Sequence, residues 1–252
     1  IPKKENSTTC PATDPIMELE PLYALSGLPK GAVATDHPFC SQLGLKILRK
    51  GGNAVDAGVA VGLCLGVANP ASSGIGGGAF MLTYTDPTNK SNEDLPDFID
   101  ARSNNENEVQ FESGKVCEIF DSREVAPGAA TTDMFEDQPE HASVWGPLAL
   151  SVPGELKGLE LAHARHGKLP WKDVVDPAIQ MAREGIPINP NLAHEIQFAA
   201  SYFQKIPRSQ HQDKVDGYLR HILTKDDNWN NPLLEGEILR NVRLAETLVA
   251  IR

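Results

Sequence analysis

Asn53 to Thr85 reads NAVDAGVAVGLCLGVANPASSGIGGGAFMLTYT, and no other stretch limits the possible folds as tightly. Its apolar part, Val55 to Val67, is shorter than the ~20 residues that span a bilayer and carries Asp56. Rich in Gly and Ala, it predicts a buried helix packed closely against other backbone, with Asn53 as N-cap. The glycines of SSGIGGG then run into a strand, Ala79 to Thr85. A phosphate-binding loop needs Lys and Ser/Thr after its glycines at the start of a helix, and a dinucleotide fingerprint also opens a helix. A strand follows here, so the context is wrong for a nucleotide. The glycines instead let backbone approach something closely, another strand or a ligand.

On either side the chain alternates strand and helix signals. Residues 1–29 are polar and Pro-punctuated, an extended lead-in. KGAVATDHP predicts a short strand ended by Pro38, and FCSQLGLKILRKGG a helix with Leu43, Ile47 and Leu48 on one face, stopped by Gly51 and Gly52. Residues 86–118 are dominated by Asn, Glu, Asp and Ser and read as a long acidic loop leading to a strand at Val116 to Phe120. WGPLALSVPGELKGLELAHARHG predicts a strand closed by Pro153 and Gly154, then a helix to about His166. LPWKDVVDPAIQMAREG is a helix that Pro177 bends or divides, and NPNLAHEIQFAASYFQKI is helical. From Asp213 polar loop and short helix alternate, and ILRNVRLAETLVAIR breaks off inside an apparently unfinished helix, as a fragment would. The whole is α/β (α+β).

The formal net charge of −11, from 34 acidic and 23 basic residues, argues against a nucleic-acid partner, which needs a basic face. The four cysteines, Cys10, Cys40, Cys64 and Cys117, form no CxxC pair, which argues against zinc. Two sequons, at Asn6 and Asn89, lie in polar stretches and are expected to be glycosylated; with the even cysteine count they point to the secretory pathway and a secreted or extracellular-face location. Ile1 reads as a processed N-terminus or a boundary that hides a signal peptide. Glu160, His163 and His166 have a loose resemblance to metal spacing but are expected to form a solvated helix face with Arg165. His37 and His141 show no partner, Ser72 and Ser73 lack a G-x-S-x-G frame, and Trp145, Trp171 and Trp229 read as core anchors.

FDSREVAPGAATTDMF, residues 120–135, sets Arg123 and Glu124 at a strand end that Pro127 and Gly128 stop. Such an arginine either makes a surface salt bridge or holds a carboxylate. The residues alone leave both readings open.

Several stretches together resemble one family, the γ-glutamyltranspeptidases: GAVATDHPFCSQLGLKILRKGGNAVDAGVAVGLCLGVANPASSGIGGGAF, SREVAPGAATTDMF, LSVPGELKGLELAHARHGKLPWKDVVDPAIQMAREGIPI and LLEGEILRNVRLAETL. Their order and spacing match the N-terminal part of that family's large subunit over residues 30–252, with 86–118 as an acidic insertion. The resemblance implies an N-terminal-nucleophile hydrolase, an αββα four-layer sandwich made as one self-cleaving precursor, of which this chain is an incomplete part. Cleavage frees a threonine whose hydroxyl attacks a γ-glutamyl bond while its own α-amino group serves as base. The glutamyl group passes to water, an amino acid or a dipeptide; glutathione is the usual donor, and no metal or cofactor is needed.

No residue here matches that threonine, so no catalytic residue falls in this chain, and the segment alone is expected to be inactive. The partners implied are glutathione and other γ-glutamyl compounds, the remainder of the large subunit and the small subunit. Arg123 matches the family arginine that grips the donor's α-carboxylate, with Glu124 in a supporting role. FIDARSNN offers Arg102 as a rival alignment, but Arg102 lacks the Glu-x-Ala-Pro that follows Arg123. The resemblance also implies a Cys40–Cys64 disulfide. Alternatives are a related acylase, such as a cephalosporin-acylase-like enzyme, or a non-catalytic relative that binds γ-glutamyl compounds or a partner protein.

Overall fold

The structure, a computed structural model, describes residues 31–85, 108–110, 116–138, 142–144, 146–205 and 212–252. The lead-in at 1–29, Asn6, Asn89, Cys10, Arg102, His141, Trp145 and most of the acidic insertion lie outside the described residues.

Pro38 does not end a strand. It opens helix α1 (Pro38–Arg49), and residues 31–35 pair with nothing regular. At the first helical position proline's missing N–H costs no hydrogen bond and its fixed φ suits the helix. Helix α2 (Ala54–Ala68) starts with a full capping box: Asn53 Oδ1 accepts from the N–H of Val55 and Asp56 at 3.0 Å, and Asn53 N–H donates to Asp56 Oδ2 at 2.9 Å. A disulfide joins α1 to α2 between Cys40 and Cys64, both fully buried, with Cα atoms 5.6 Å apart.

The glycine loop leads into strand β1 (Ala79–Thr85). Strand β2 (Glu108–Gln110), which the sequence reading did not anticipate, and strand β3 (Val116–Ser122) complete an antiparallel sheet of order β1-β3-β2, with register from Ala79↔Ser122 to Thr85↔Val116. The expected strand before Pro153 is absent: residues 147–149 make a 3-10 turn, and Val152 forms one isolated bridge to Val125. Helices α3 (Glu155–His166) and α4 (Trp171–Glu184) follow, and α4 runs through Pro177 undivided.

Strand β4 (Ile186–Pro187), helices α5 (Pro190–Lys205) and α6 (Gln212–Leu223), strand β5 (Ile238–Leu239) and helix α7 (Val242–Ile251) complete the described chain; β4 pairs antiparallel with β5. No helix among the described residues is long and apolar enough to cross a membrane.

The core lies among the helices. Small side chains of α2 (Val59, Ala60, Leu63) share it with Val174, Val175, Ala178 and Ala182 of α4 and Ala245 and Leu248 of α7, all at most 2% exposed. Helix α3 packs on α2 and on β1 and β3. The sheet therefore turns Met81, Thr83, Glu118 and Phe120 inward, while Phe80, Leu82, Tyr84 and Ile119 project outward and are exposed.

Candidate functional site

Three segments meet where β3 leaves the sheet: the strand end Ser122–Val125, the glycine loop Gly74–Gly78, and the start of α3. Ser122 Oγ donates to Ala79 O at 2.8 Å, closing the last rung beside β1. Val125 and Val152 exchange two backbone hydrogen bonds, at 3.2 and 2.9 Å. Gly77 O accepts from the N–H groups of both Gly154 and Glu155, at 3.0 and 3.1 Å. The glycines act here by having no side chain. A Cβ on Gly78 would stand 2.6 Å from Glu124 Oε2 and 2.7 Å from Ser122 O, and one on Gly154 would stand 2.4 Å from Ser122 O. Backbone of the glycine loop and of the approach to α3 thus closes on the Ser122–Glu124 segment, with no space that a methyl group could use.

Arg123 projects from this clasp with a side chain 67% exposed. Its N–H donates to Asp121 Oδ1 at 3.1 Å. Its Nε lies 3.4 Å from Glu124 Oε2, an ion-pair contact without hydrogen-bond geometry, so Glu124 Oε2 is buried and has no hydrogen-bond partner among the described residues. A fixed backbone carrying an exposed guanidinium presents its fork of N–H donors to any carboxylate that arrives. Glu155, 5% exposed, is near enough to feel the Glu124 charge, and among the described residues its Oε1 also has no hydrogen-bond partner. Burial pushes the Glu155 carboxyl up, a hydrogen bond from the Gly74 N–H opposes this, and the charge of Glu124 pushes it up further.

The histidines of α3 do not lie on a solvated face, as the sequence reading expects. His163 Nε2 is 2.9 Å from Leu169 O and 3.3 Å from Asp56 Oδ1, and it packs edge-on to Trp171. His166 Nε2 is 2.7 Å from Glu118 Oε2; Arg165 pairs with Glu118 Oε1 and lies over the Phe120 ring. Asp56, fully buried, also accepts from the N–H groups of Lys168 and Leu169 at 3.1 and 3.3 Å. Burial raises the Asp56 carboxyl, but the hydrogen bonds from His163, Asn53, Lys168 and Leu169 outweigh it and hold the group below the usual carboxylate range. These contacts bind α3 to α2 and β3 and so set the angle at which α3 meets Arg123. The contacts of α3 with β3, and those of Asp56 with His163, Lys168 and Leu169, join residues from 45 (165 − 120) to 113 positions apart, beyond the reach of local pattern reading.

Among the described residues no group of three or more His, Cys, Asp or Glu is arranged to hold a metal ion. Trp229 is a core anchor, stacked on Phe203, whereas Trp171 is only partly buried and donates its indole N–H to Ile251 O at 2.9 Å. Glu155 was missed in the sequence; its one signal is its place directly after Pro153 and Gly154 at a helix start.

Known proteins share the sequence and fold of this chain. The profile of the family described as gamma-glutamyltranspeptidase matches residues 40–105 and 108–252. Glutathione hydrolase 2 of Arabidopsis thaliana is 39% identical over 221 residues, covering 88% of this chain and 31% of that protein. The glutathione hydrolase proenzyme of Bacillus subtilis is 37% identical over 227 residues, 88% of this chain and 32% of that protein. The crystal structure of Helicobacter pylori gamma-glutamyltranspeptidase superposes with a TM-score of 0.66 at 29% identity, covering 88% of this chain and 53% of that one. The chain thus spans about a third of the length of these curated relatives.

Proposed function

The chain belongs to the γ-glutamyltranspeptidase family, and from that premise we propose that it is the donor-binding part of a γ-glutamyltransferase and glutathione hydrolase. Its described residues form a helical layer and part of a sheet of the family's αββα N-terminal-nucleophile hydrolase fold. Arg123 grips the α-carboxylate of a γ-glutamyl donor such as glutathione, and Glu124 keeps the guanidinium oriented. The observation that carries this reading is the clasp: Gly78 and Gly154 fix the backbone of Ser122–Glu124 while the Arg123 side chain stays exposed. A rigid backbone lowers the entropy cost of presenting the guanidinium fork.

The nucleophile is a threonine supplied by the remainder of the precursor. Its hydroxyl attacks the γ-carbonyl, its α-amino group accepts the proton, and the glutamyl ester passes to water, an amino acid or a dipeptide. What this chain contributes is binding and orientation, which raise rate by holding the γ-carbonyl where that hydroxyl reaches it. The secretory pathway is the compartment that fits the disulfide.

Turnover of γ-glutamyl-p-nitroanilide by the full-length protein tests the reading. Arg123→Ala should lower kcat/KM more than tenfold, since it leaves a bound carboxylate unpaired at a cost of about 2–5 kcal/mol. Arg123→Lys keeps charge but loses the fork and should recover only part of the loss. Arg102→Ala is the matched control and should be nearly silent; damage from Arg102→Ala with Arg123→Ala unaffected would show that the carboxylate goes to Arg102 instead.

A further inference from the structure

We propose that Glu155 is a positioning residue for Arg123, acting through the glycine loop and Glu124. The inference rests on Arg123 being the donor clamp and extends it to a residue that touches no substrate. Glu155 is tied to the clasp at two points: its N–H donates to Gly77 O, and its carboxyl accepts from the Gly74 N–H. The same loop, one residue further on at Gly78, abuts the Glu124 carboxylate. Two buried carboxyl oxygens, Glu124 Oε2 and Glu155 Oε1, have no hydrogen-bond partner among the described residues. Two ionised carboxylates in one water-poor corner are mutually costly, and one proton removes most of that cost.

Burial and the Glu124 charge favour the neutral form of Glu155, whose carboxyl meets, among the described residues, only a backbone N–H, whereas Glu124 has the Arg123 guanidinium beside it. Glu124 is the charged group that bears on Glu155. The glycine loop carries no charged side chain, and on α3 itself Lys157 is exposed and engaged by Glu160 at 2.6 Å. When Glu155 ionises, the added negative charge repels Glu124, and Glu124 carries Arg123 with it. A second anion behind the clamp also weakens its hold on an incoming carboxylate. Donor affinity therefore falls as pH rises through the Glu155 transition, while the chemical step, which uses groups outside this corner, is spared.

The test is steady-state kinetics of the full-length protein on γ-glutamyl-p-nitroanilide from pH 5 to pH 9, with Glu155→Gln, Glu155→Ala and Arg123→Ala. The wild type should show KM rising severalfold towards alkaline pH. Glu155→Gln, fixed in the neutral form, should abolish that rise. Glu155→Ala, which strands the Gly74 N–H, should raise KM severalfold at every pH with little change in kcat. A KM–pH profile in Glu155→Gln that matches the wild type overturns the proposal, as does an effect of either variant confined to kcat. If Glu155→Ala does not fold, Glu155→Gln decides alone. Failure of the underlying clamp would look different: Arg123→Ala would leave KM unchanged whatever the Glu155 variants do.

Discussion

Asp56 is fully buried, yet four hydrogen-bond donors hold it in its ionised form. Its folded-state value lies below its unfolded one, so the stabilisation is fully present above about pH 4 and is lost as pH falls through the folded value. Asp56→Ala strands the N–H groups of Asn53, Lys168 and Leu169 and should cost about 3 kcal/mol in urea unfolding at neutral pH. Asp56→Asn keeps the shape, and its deficit relative to wild type should shrink between pH 6 and pH 3. A deficit that stays constant would mean that the charge of Asp56 contributes nothing. Asn53 as cap and Arg123 at a strand end were legible in the sequence because each depends on neighbours a few positions away. His163, His166 and Glu155 were not, because each gets its role from a segment remote in the chain.

Helices were the easier elements to read, and for a physical reason. A helix satisfies its own backbone, so the cap at Asn53, the small-residue run of α2 and the apolar spacing in α1 suffice to place them. A strand needs a partner that its own sequence does not specify. LALSV carries an apolar pattern, but among the described residues its segment finds only Val125, and a single bridge results instead of a strand. The α1–α2 pair carries a prediction of its own. The disulfide closes 24 positions of chain and restricts the unfolded state, worth roughly 3 kcal/mol. Replacing both cysteines by serine should lower the unfolding midpoint accordingly. Mass mapping without reductant should recover the two cysteines as a linked peptide pair; both as free thiols would contradict the bridge.

At the scale of the whole molecule, the outward row of Phe80, Leu82, Tyr84 and Ile119 leaves one face of the sheet apolar and exposed. The 252-residue chain expressed alone should therefore self-associate and, since the proposed reading puts the threonine nucleophile outside these residues, show no turnover of γ-glutamyl-p-nitroanilide. A monodisperse monomer that turns the substrate over would contradict both points. The sandwich and the proposed reaction were legible only through resemblance; spacing and periodicity reached a mixed α/β protein with one arginine at a strand end and stopped there. That arginine is the centre of the account, and a double-mutant cycle between enzyme and donor tests it most directly. Wild type and Arg123→Ala, as full-length proteins, are each assayed with γ-glutamyl-p-nitroanilide and with 4-aminobutyryl-p-nitroanilide, which lacks only the α-carboxylate. If Arg123 meets that carboxylate, either deletion lowers kcat/KM sharply and the second adds almost nothing, a coupling of about 2 kcal/mol or more. If the two losses simply add, Arg123 does not bind the α-carboxylate.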